Sequence, residues 1–376
     1  MPDVITEQRS FGQRLSNSFL GLIIGPILIL VAIGLLWWNE GRAVAAIVGL
    51  NDAAGQVVEA NASGPSPANA GKLVHVVGAA TASSPISDSA VGTTFTGQVT
   101  VARTAEMYQW KESSHEDNNN NTTTYEYTRA WSEDPIDSSH FHYADGHENP
   151  AMPFASTQTS ASDAKLGGWA LDDGTLNRID LEQSLNPPAP EGWSRDGNYL
   201  YRGNPASPKV GDMRVSYRGL ASGTTISVLA QQSGNGFAAF TAKNGYTLEL
   251  AAAGNHTAAE LIERQRKAEA ILTWVLRAVG WLLIFMGFTA FLSPLSAMAS
   301  FVPILGGIVR GAAAGISFVI SVPLALTVIA LAWLFYRPLI GGGLLVLAAA
   351  SVYGLWRWHH QRTAGHVAAQ AAKAPA

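Results

Sequence analysis

The residue types best suited to chemistry in this chain lie close together near its middle. His140, His142 and His147 supply three imidazoles, and Asp145 and Glu148 supply two carboxylates, within a stretch of nine residues. Imidazole and carboxylate are ligands that zinc takes in proteins. Their spacing matches no standard zinc site, and the aromatic residues between the histidines suit an ordinary strand and loop. We therefore expect a structural role for the histidines, with a metal site as the alternative.

Other signatures of catalysis are missing from the sequence. The chain contains no cysteine, which excludes disulfides, thiolate nucleophiles and iron–sulfur sites. It also contains no Gly-x-Ser-x-Gly elbow and no Walker A loop. We expect no enzymatic activity and no cofactor. A metal-dependent hydrolase, or another enzyme housed in the central region, remains the alternative.

Long apolar segments near both ends of the chain determine which elements position these residues. An uncharged apolar run of about 20 residues is long enough to cross a bilayer as a helix. On this basis we predict transmembrane helices at residues 20–38, 275–292, 311–336 and 338–356. The fold class is thus an α+β membrane protein, with four transmembrane helices and a large β-rich extramembrane domain between helices 1 and 2. The other predicted segments are an N-terminal cytoplasmic segment (1–19), the β-rich domain (39–257), an amphipathic or connecting helix (258–274), a re-entrant or interfacial segment (293–310) and a basic, then alanine-rich tail (357–376).

The central domain reads as mostly β because short runs rich in β-branched and aromatic residues alternate with Gly, Asn, Asp and Pro. Ser233-Gly234-Asn235-Gly236 indicates a hairpin turn. Residues 161–166 and 180–185 have a helical pattern. The predicted strands are residues 73–77, 94–103, 122–131, 213–217, 225–231, 237–241 and 247–250.

Charge is distributed unevenly between the domain and the rest of the chain. Residues 43–263 carry 24 acidic and 12 basic side chains, a net charge of −12, whereas the remainder carries 4 acidic and 12 basic ones, a net charge of +8. An acidic domain repels phosphate, so we expect no nucleic-acid partner. The positive-inside rule places the domain on the far side of the membrane from the cytoplasm. The basic cluster Arg264, Arg266, Lys267 and Arg277 just before the second span opposes this orientation.

Glycine spacing predicts close helix packing at two places. Gly21 and Gly25 lie four residues apart in the first span, and Gly307, Gly311 and Gly315 share one face of the third. Small residues at this spacing let helix backbones approach closely. For the second set, two readings stay open, namely packing within the chain and self-association.

Polar and aromatic residues at the span ends are predicted to be interfacial anchors. Glu40 can pair with Arg277 or Arg337, the alternative being that each group separately meets headgroups and water. Since no Asp, Glu, Lys or His falls inside any predicted span, a channel or carrier is the third and least supported function. The predicted anchors are Trp37, Trp38, Glu40, Arg42, Tyr336 and Arg337.

Several short motifs, in this order along the chain, together resemble the transmembrane protein 43 family, also called LUMA. The resemblance extends from about Phe11 to Trp356. Its motifs are Asn39-Glu40-Gly41-Arg42-Ala43, Leu73-Val74-His75-Val76-Val77-Gly78-Ala79, Glu106-Met107-Tyr108-Gln109-Trp110, Gly146-His147-Glu148-Asn149-Pro150, Val210-Gly211-Asp212-Met213-Arg214-Val215-Ser216, Ala278-Val279-Gly280-Trp281 and Trp333-Leu334-Phe335-Tyr336-Arg337-Pro338-Leu339.

The resemblance implies four spans, one large domain between the first two, self-association and no enzymatic activity. It also implies a membrane organiser at the endoplasmic reticulum and inner nuclear membrane in eukaryotic members. The cysteine-free sequence and the alanine-rich tail indicate a bacterial member, with a periplasmic domain at the cytoplasmic membrane. We therefore expect a non-enzymatic, multi-pass scaffold that contacts the lipid bilayer, forms homo-oligomers and presents its domain to unidentified membrane, periplasmic or lumenal proteins.

Overall fold

The computed structural model describes residues 3–8, 11–117, 122–295 and 303–338. The chain divides into two compact units. The β-domain unit comprises Met1–Arg14 and Ala45–Ala268, and the membrane unit comprises Leu15–Val44 and Glu269–Ala376. Each unit is therefore built from two separate stretches of the chain.

Three helices of the described residues are long and apolar enough to cross a membrane, and a short one lies in the β-domain unit. The first continues well beyond the predicted span because Ala-rich sequence follows Trp38 and favours helix. The helices are α1 (Phe11–Ala54), α2 (Asp173–Leu176), α3 (Ala258–Phe291) and α4 (Pro303–Tyr336).

The predicted connecting helix and second span form one continuous helix, α3. Thr257 begins it with a capping box, since its hydroxyl accepts from the Glu260 N–H (3.2 Å) and its own N–H donates to the Glu260 carboxylate (2.9 Å). Helix α4 begins at Pro303 rather than residue 311, so part of the predicted re-entrant segment is helical. Proline is favoured at the first position of a helix. Apart from Pro338, the predicted fourth span and the tail lie outside the described residues.

Nineteen strands belong to the β-domain unit, together with short 3-10 turns at Pro67–Asn69 and Ser138–His140. They are β1 (Asp3–Gln8), β2 (Val58–Ala60), β3 (Leu73–Thr81), β4 (Ile86–Asp88), β5 (Thr93–Phe95), β6 (Gln98–Asp117), β7 (Thr122–Ser132), β8 (Thr157–Ser160), β9 (Lys165–Leu166), β10 (Trp169–Ala170), β11 (Gln183–Leu185), β12 (Ser194–Asp196), β13 (Tyr199–Arg202), β14 (Met213–Ala221), β15 (Thr225–Ser233), β16 (Gly236–Ala238), β17 (Phe240–Thr241), β18 (Thr247–Leu248) and β19 (Leu250–Ala253).

Two larger sheets organise these strands. The first has the order β1-β7-β6-β14-β13-β12, with β11 pairing β14 and β8 pairing β6. The second has the order β10-β9-β3-β15-β16, with β19 on β15 and β2 parallel to β3. Strands β4 and β5 form one separate hairpin, and β17 and β18 form another. The long β6–β7 hairpin thus leads from the middle of the first sheet to its β1 edge.

Alternation along the strands decides which side chains form the core. On β14, Met213, Val215 and Tyr217 are buried, and on the neighbouring β6, Ala105 and Met107 face the same cluster. Successive side chains of a strand point to opposite faces, so the intervening residues lie on the outer face. Strand residues occur in all seven predicted ranges, but 94–103, 237–241 and 247–250 are each divided between two strands.

The two predicted helical patterns in the domain are wrong. Within residues 161–166, Leu166 pairs with Ala80 of β3, and within 180–185, β11 pairs with β14. Backbone hydrogen bonding to an existing sheet outweighs the weak helix propensity of such short segments. The predicted hairpin turn after Ser233 is confirmed between β15 and β16, where Gly234 has φ of +54°.

Candidate functional site

A buried ion pair links the helices of the membrane unit. Glu40 of α1 is fully buried, and Arg277 of α3 binds both of its oxygens, with Nε 2.6 Å from Oε1 and Nη2 2.8 Å from Oε2. Trp333 of α4 donates its indole N–H to the same carboxylate at 2.7 Å. One carboxylate therefore holds three helices together, in a bidentate geometry that is among the strongest available to arginine.

This geometry decides between the two partners that the sequence offered for Glu40. Arg277 pairs with it, whereas the Arg337 guanidinium lies over the Trp333 ring, 5.7 Å from its centroid. The signal was present in the sequence, because Glu40 is the one acidic residue beside the first span. Which arginine reaches it depends on how the helices pack.

A second polar layer lies next to this pair. Arg42 pairs with Glu269 and donates to the Thr273 hydroxyl at 3.0 Å, and the Asn39 amide donates to the Thr273 carbonyl at 3.1 Å. Among the described residues, the side-chain oxygen Oδ1 of Asn39 and Nε of Arg42 are buried without a hydrogen-bond partner. Together, the two layers carry two acidic and two basic groups, so their formal charges balance. We call these residues (Asn39, Glu40, Arg42, Glu269, Thr273, Arg277 and Trp333) the ion network.

Aromatic rings adjoin the ion network. The Trp37 ring lies 5.6 Å from Phe335 and 6.0 Å from Tyr336, whereas Trp38 is 57% exposed. A Cβ atom on Gly41 would come within 2.7 Å of the Tyr336 ring, so a larger residue there would require that ring to shift. Of the two adjacent tryptophans, Trp37 thus packs inside the unit and Trp38 faces outward.

The glycines of α1 and α4 have opposite surroundings. A Cβ on Gly21 would lie 2.3 Å from the Ala290 carbonyl oxygen, and one on Gly25 would lie 2.6 Å from that of Gly287, so α1 and α3 approach each other closely there. A Cβ on Gly311 or on Gly315 would meet no described atom within 4 Å. Gly307 belongs to α4, but its surroundings fall outside the described side chains.

The structure does not bring the three predicted metal ligands together. His140 is exposed and pairs with Asp137, 3.0 Å away. His142 stacks on Tyr125 with ring centroids 4.1 Å apart, and the buried His147 stacks on Tyr127 at 3.9 Å. Across the described residues, no group of three His, Cys, Asp or Glu side chains could hold a metal ion. The geometry therefore gives the metal site no support.

Two of these histidines, His142 and His147, instead face the N-terminal strand β1. Strand β1 pairs antiparallel with β7, from Asp3 opposite Tyr127 to Gln8 opposite Thr122. His142 Nε2 lies 3.3 Å from a Glu7 oxygen, and His147 Nε2 lies 3.4 Å from an Asp3 oxygen. Residues 3–8, predicted to belong to a cytoplasmic segment, thus lie on the β domain because β7 offers an open edge of backbone donors and acceptors.

Of the two acidic β1 residues, Asp3 and Glu7, Glu7 makes an additional contact, because it accepts a hydrogen bond from the Tyr143 hydroxyl. That hydrogen bond holds the pKa of Glu7 below its usual value and raises the pKa of Tyr143 to about 12. This hydrogen bond therefore pairs the ionised carboxylate of Glu7 with the neutral phenol of Tyr143.

A polar cavity of about 230 Å³ lies elsewhere in the β-domain unit, and the sequence analysis missed it. Arg103, only 7% exposed, pairs with Asp88, donates to the Ala155 carbonyl at 2.7 Å and lies over the Phe154 ring. Tyr217 donates to the other Asp88 oxygen at 2.8 Å, and its burial and this bond raise the pKa of the phenol. The feature of the sequence that could have indicated this site is an arginine at a core-facing position of an otherwise apolar strand.

His75 of β3 is buried with both ring nitrogens bonded. Nδ1 lies 2.7 Å from the Glu59 carboxylate and Nε2 lies 2.9 Å from the His256 carbonyl oxygen. It therefore ties β3 to β2 and to the residues that precede α3.

Comparison with known proteins identifies the family of the chain. The family model described as "Transmembrane protein 43" matches residues 107–338. The chain belongs to the transmembrane protein 43 family. It is 32% identical to "Transmembrane protein 43" of Homo sapiens over 89% of each chain, and 32% identical to that of Mus musculus over 88% of each. It is 30% identical to the "Transmembrane protein 43 homolog" of Drosophila melanogaster, over 92% of this chain and 96% of that protein. No solved structure matches the chain.

Membership of the transmembrane protein 43 family agrees with the apolar helices α1, α3 and α4. The chain is an integral membrane protein, with its β-rich domain between the first two of these helices. The ion network and the β7 edge are thus features of one family member, in its membrane unit and its β-domain unit respectively.

Proposed function

We propose that this member of the transmembrane protein 43 family is a non-enzymatic membrane scaffold. It self-associates through the glycine face of α4 and presents its β domain to membrane, periplasmic or lumenal partners. The observation that carries this proposal is that a Cβ on Gly311 or Gly315 would meet none of the described atoms within 4 Å.

The contrast between helices of the membrane unit supports self-association. The α1 glycines are already in contact with α3, and the ion network connects α1, α3 and α4. The α4 glycine face has no such neighbour among the described residues. Small residues on a lipid-exposed face allow a second helix to pack closely, which is how many membrane helices associate.

The chemistry of the described residues supports a role without catalysis. In the cavity, Asp88 accepts from Arg103, Tyr217 and the Ala90 N–H, so both carboxylate oxygens are engaged. A carboxylate held in this way is poorly placed to accept a proton from a substrate. The lining of that cavity includes no histidine.

Charge supports an orientation with the β domain on the non-cytoplasmic side. The domain region has a net charge of −12 and the remainder +8, with basic residues before the first apolar run and after the last. Partners of the β domain would then be proteins of the periplasm or the lumen, or membrane proteins with domains on that side.

Particle size in lipid nanodiscs or mild detergent tests the self-association. We expect Gly311→Leu together with Gly315→Leu to shift the protein from an oligomer to a smaller particle, because the added side chains separate the helices. Ala312→Leu, which adds the same side chain on a neighbouring exposed face of α4, should leave the size unchanged. A wild-type chain that is monomeric at all concentrations would refute the proposal.

A further inference from the structure

The outer edge of β7 is a built site for an extended chain segment. In the first sheet, β1 is the terminal strand and β7 is its neighbour, so β7 becomes the edge whenever β1 is absent. A free edge strand binds extended peptides through its unpaired backbone groups. The pairing of six residues of β1 with β7 shows the register that such a segment takes.

Side chains beside this edge select for acidic residues. Tyr143 and His142 meet Glu7, and His147 meets Asp3. Because Asp3 and Glu7 are four residues apart in a strand, they point to the same face, with Ile5 between them. The site therefore recognises a strand with two carboxylates separated by three residues, the middle one apolar.

The structure has β1 on this edge, and insertion of α1 into a membrane would remove it. Residues 3–8 precede the apolar run at 20–38, and β7 follows it. With that run across a hydrocarbon core about 30 Å thick, the two strands would lie on opposite sides and could not form the hydrogen bonds that the structure shows. In the inserted chain, the β7 edge and its tyrosine and histidines would be free.

We propose that the β7 edge, with His142, Tyr143 and His147, docks an extended acidic segment of another protein on the side of the membrane where the β domain lies. The backbone of β7 supplies affinity, and the three side chains supply the preference for carboxylates. This proposal rests on the proposed function in one respect, namely that α1 spans the membrane and the domain is presented on one side.

The absence of native cysteine allows a register-specific trapping experiment. Thr6 lies opposite Thr124, with their hydroxyl oxygens 3.1 Å apart. The full chain carrying Thr124→Cys is placed in nanodiscs, and a synthetic peptide of residues 3–8 with Thr6→Cys is added under mild oxidation. We expect a mixed disulfide with this variant and far less with Thr128→Cys, a half-buried β7 threonine one residue beyond the β1 register.

The carboxylate preference is tested with the same trap. A peptide that also carries Asp3→Asn and Glu7→Gln should be captured about tenfold more slowly, since it loses charged hydrogen-bond acceptors. Equal trapping at positions 124 and 128, or no effect of the neutral peptide, would overturn the proposal. Far-ultraviolet circular dichroism shows whether each variant remains folded.

A second variant tests directly whether β1 pairs with β7 of the same chain. The full chain with both Thr6→Cys and Thr124→Cys should form no intramolecular disulfide in nanodiscs. Efficient closure would mean that β1 occupies its own edge in the membrane, and the proposal would be wrong. These readouts are independent of particle size, so a failure of docking is distinguishable from a failure of self-association.

Discussion

Two of the arginine–carboxylate pairs in the described residues, Arg277–Glu40 and Arg103–Asp88, lie in different kinds of structure. Arg277 and Glu40 join helices, whose backbone groups are already bonded within each helix, so side chains supply the polar connections between them. Arg103 and Asp88 lie among strands, where the backbone of β6 already bonds to β14 and β8. The helical pair therefore connects elements that have no backbone bonds to one another, whereas the strand pair lines a cavity and connects the separate β4–β5 hairpin to a sheet that is held by backbone bonds.

The carboxylates of the two pairs also differ in their exposure to solvent. Glu40 is fully buried, and its side chain has no access to water. Asp88 is 13% exposed and borders the open cavity, so solvent reaches it when its partner is removed. Loss of a partner should cost more in the membrane unit than in the β-domain unit.

The largest expected effect follows from removing the carboxylate of the ion network. Glu40→Ala leaves Arg277 and the Trp333 N–H without their shared acceptor, and we expect a loss of about 3–5 kcal/mol in the free energy of unfolding. Tryptophan fluorescence during denaturation in detergent measures it. Glu40→Leu combined with Arg277→Leu removes both charges and should be more stable than Glu40→Ala. If the double variant is no better than the single one, the pair is not coupled.

A smaller effect is expected at the cavity. Arg103→Met keeps the length of the side chain but deprives Asp88 and the Ala155 carbonyl of a donor, at a cost of about 1–3 kcal/mol. Glu106→Gln is the control on the outer face of the same strand, where the Arg214 pair is part-buried, and it should cost less than about 1 kcal/mol. A loss at Arg103 as large as that at Glu40 would contradict the comparison.

The smallest effect concerns a carboxylate outside both pairs. Asp163 accepts from the backbone N–H groups of Ser84 and Ser83, each at 2.9 Å, and these bonds hold its pKa below the usual value. Its stabilisation is present above the unfolded-state pKa of about 4 and disappears as pH falls through the lower folded-state pKa. Wild type should exceed Asp163→Asn in thermal midpoint at pH 7, and the gap should close toward pH 2. A gap that is constant with pH would show that the charge is not responsible.

Local pattern was sufficient for some elements and misleading for others. The spans at α1, α3 and α4 follow from uncharged apolar runs, and strands such as β14 follow from alternating residues, because both signals are contained in a few consecutive residues. Residues 161–166 carry alanines that favour helix, yet β9 pairs with β3 there. Short segments of weak propensity adopt whatever the adjacent sheet offers.

The candidate sites show the same division. The residue types singled out His140, His142 and His147. The carboxylate partners of His142 and His147 depend on the pairing of β1 with β7, whose contacting residues Thr6 and Thr124 are 118 positions apart. Arg103 was not predicted to be a site residue, although the alternation of buried and exposed residues along β6 places it on the core face. The residue types indicated which chemistry was possible, but they did not determine which side chains lie close to one another.

The sequence by itself determined that this is a membrane protein with a β-rich domain, because the thickness of a bilayer and the two-residue repeat of a strand impose patterns that neighbouring residues must obey. Only the tertiary structure decided that Glu40 binds Arg277 rather than Arg337, and that the α1 glycines are in contact while a Cβ on Gly311 or Gly315 meets no described atom within 4 Å. It also decided that the histidines face carboxylates. These outcomes depend on which distant segments come within hydrogen-bonding distance, and no local pattern carries that information.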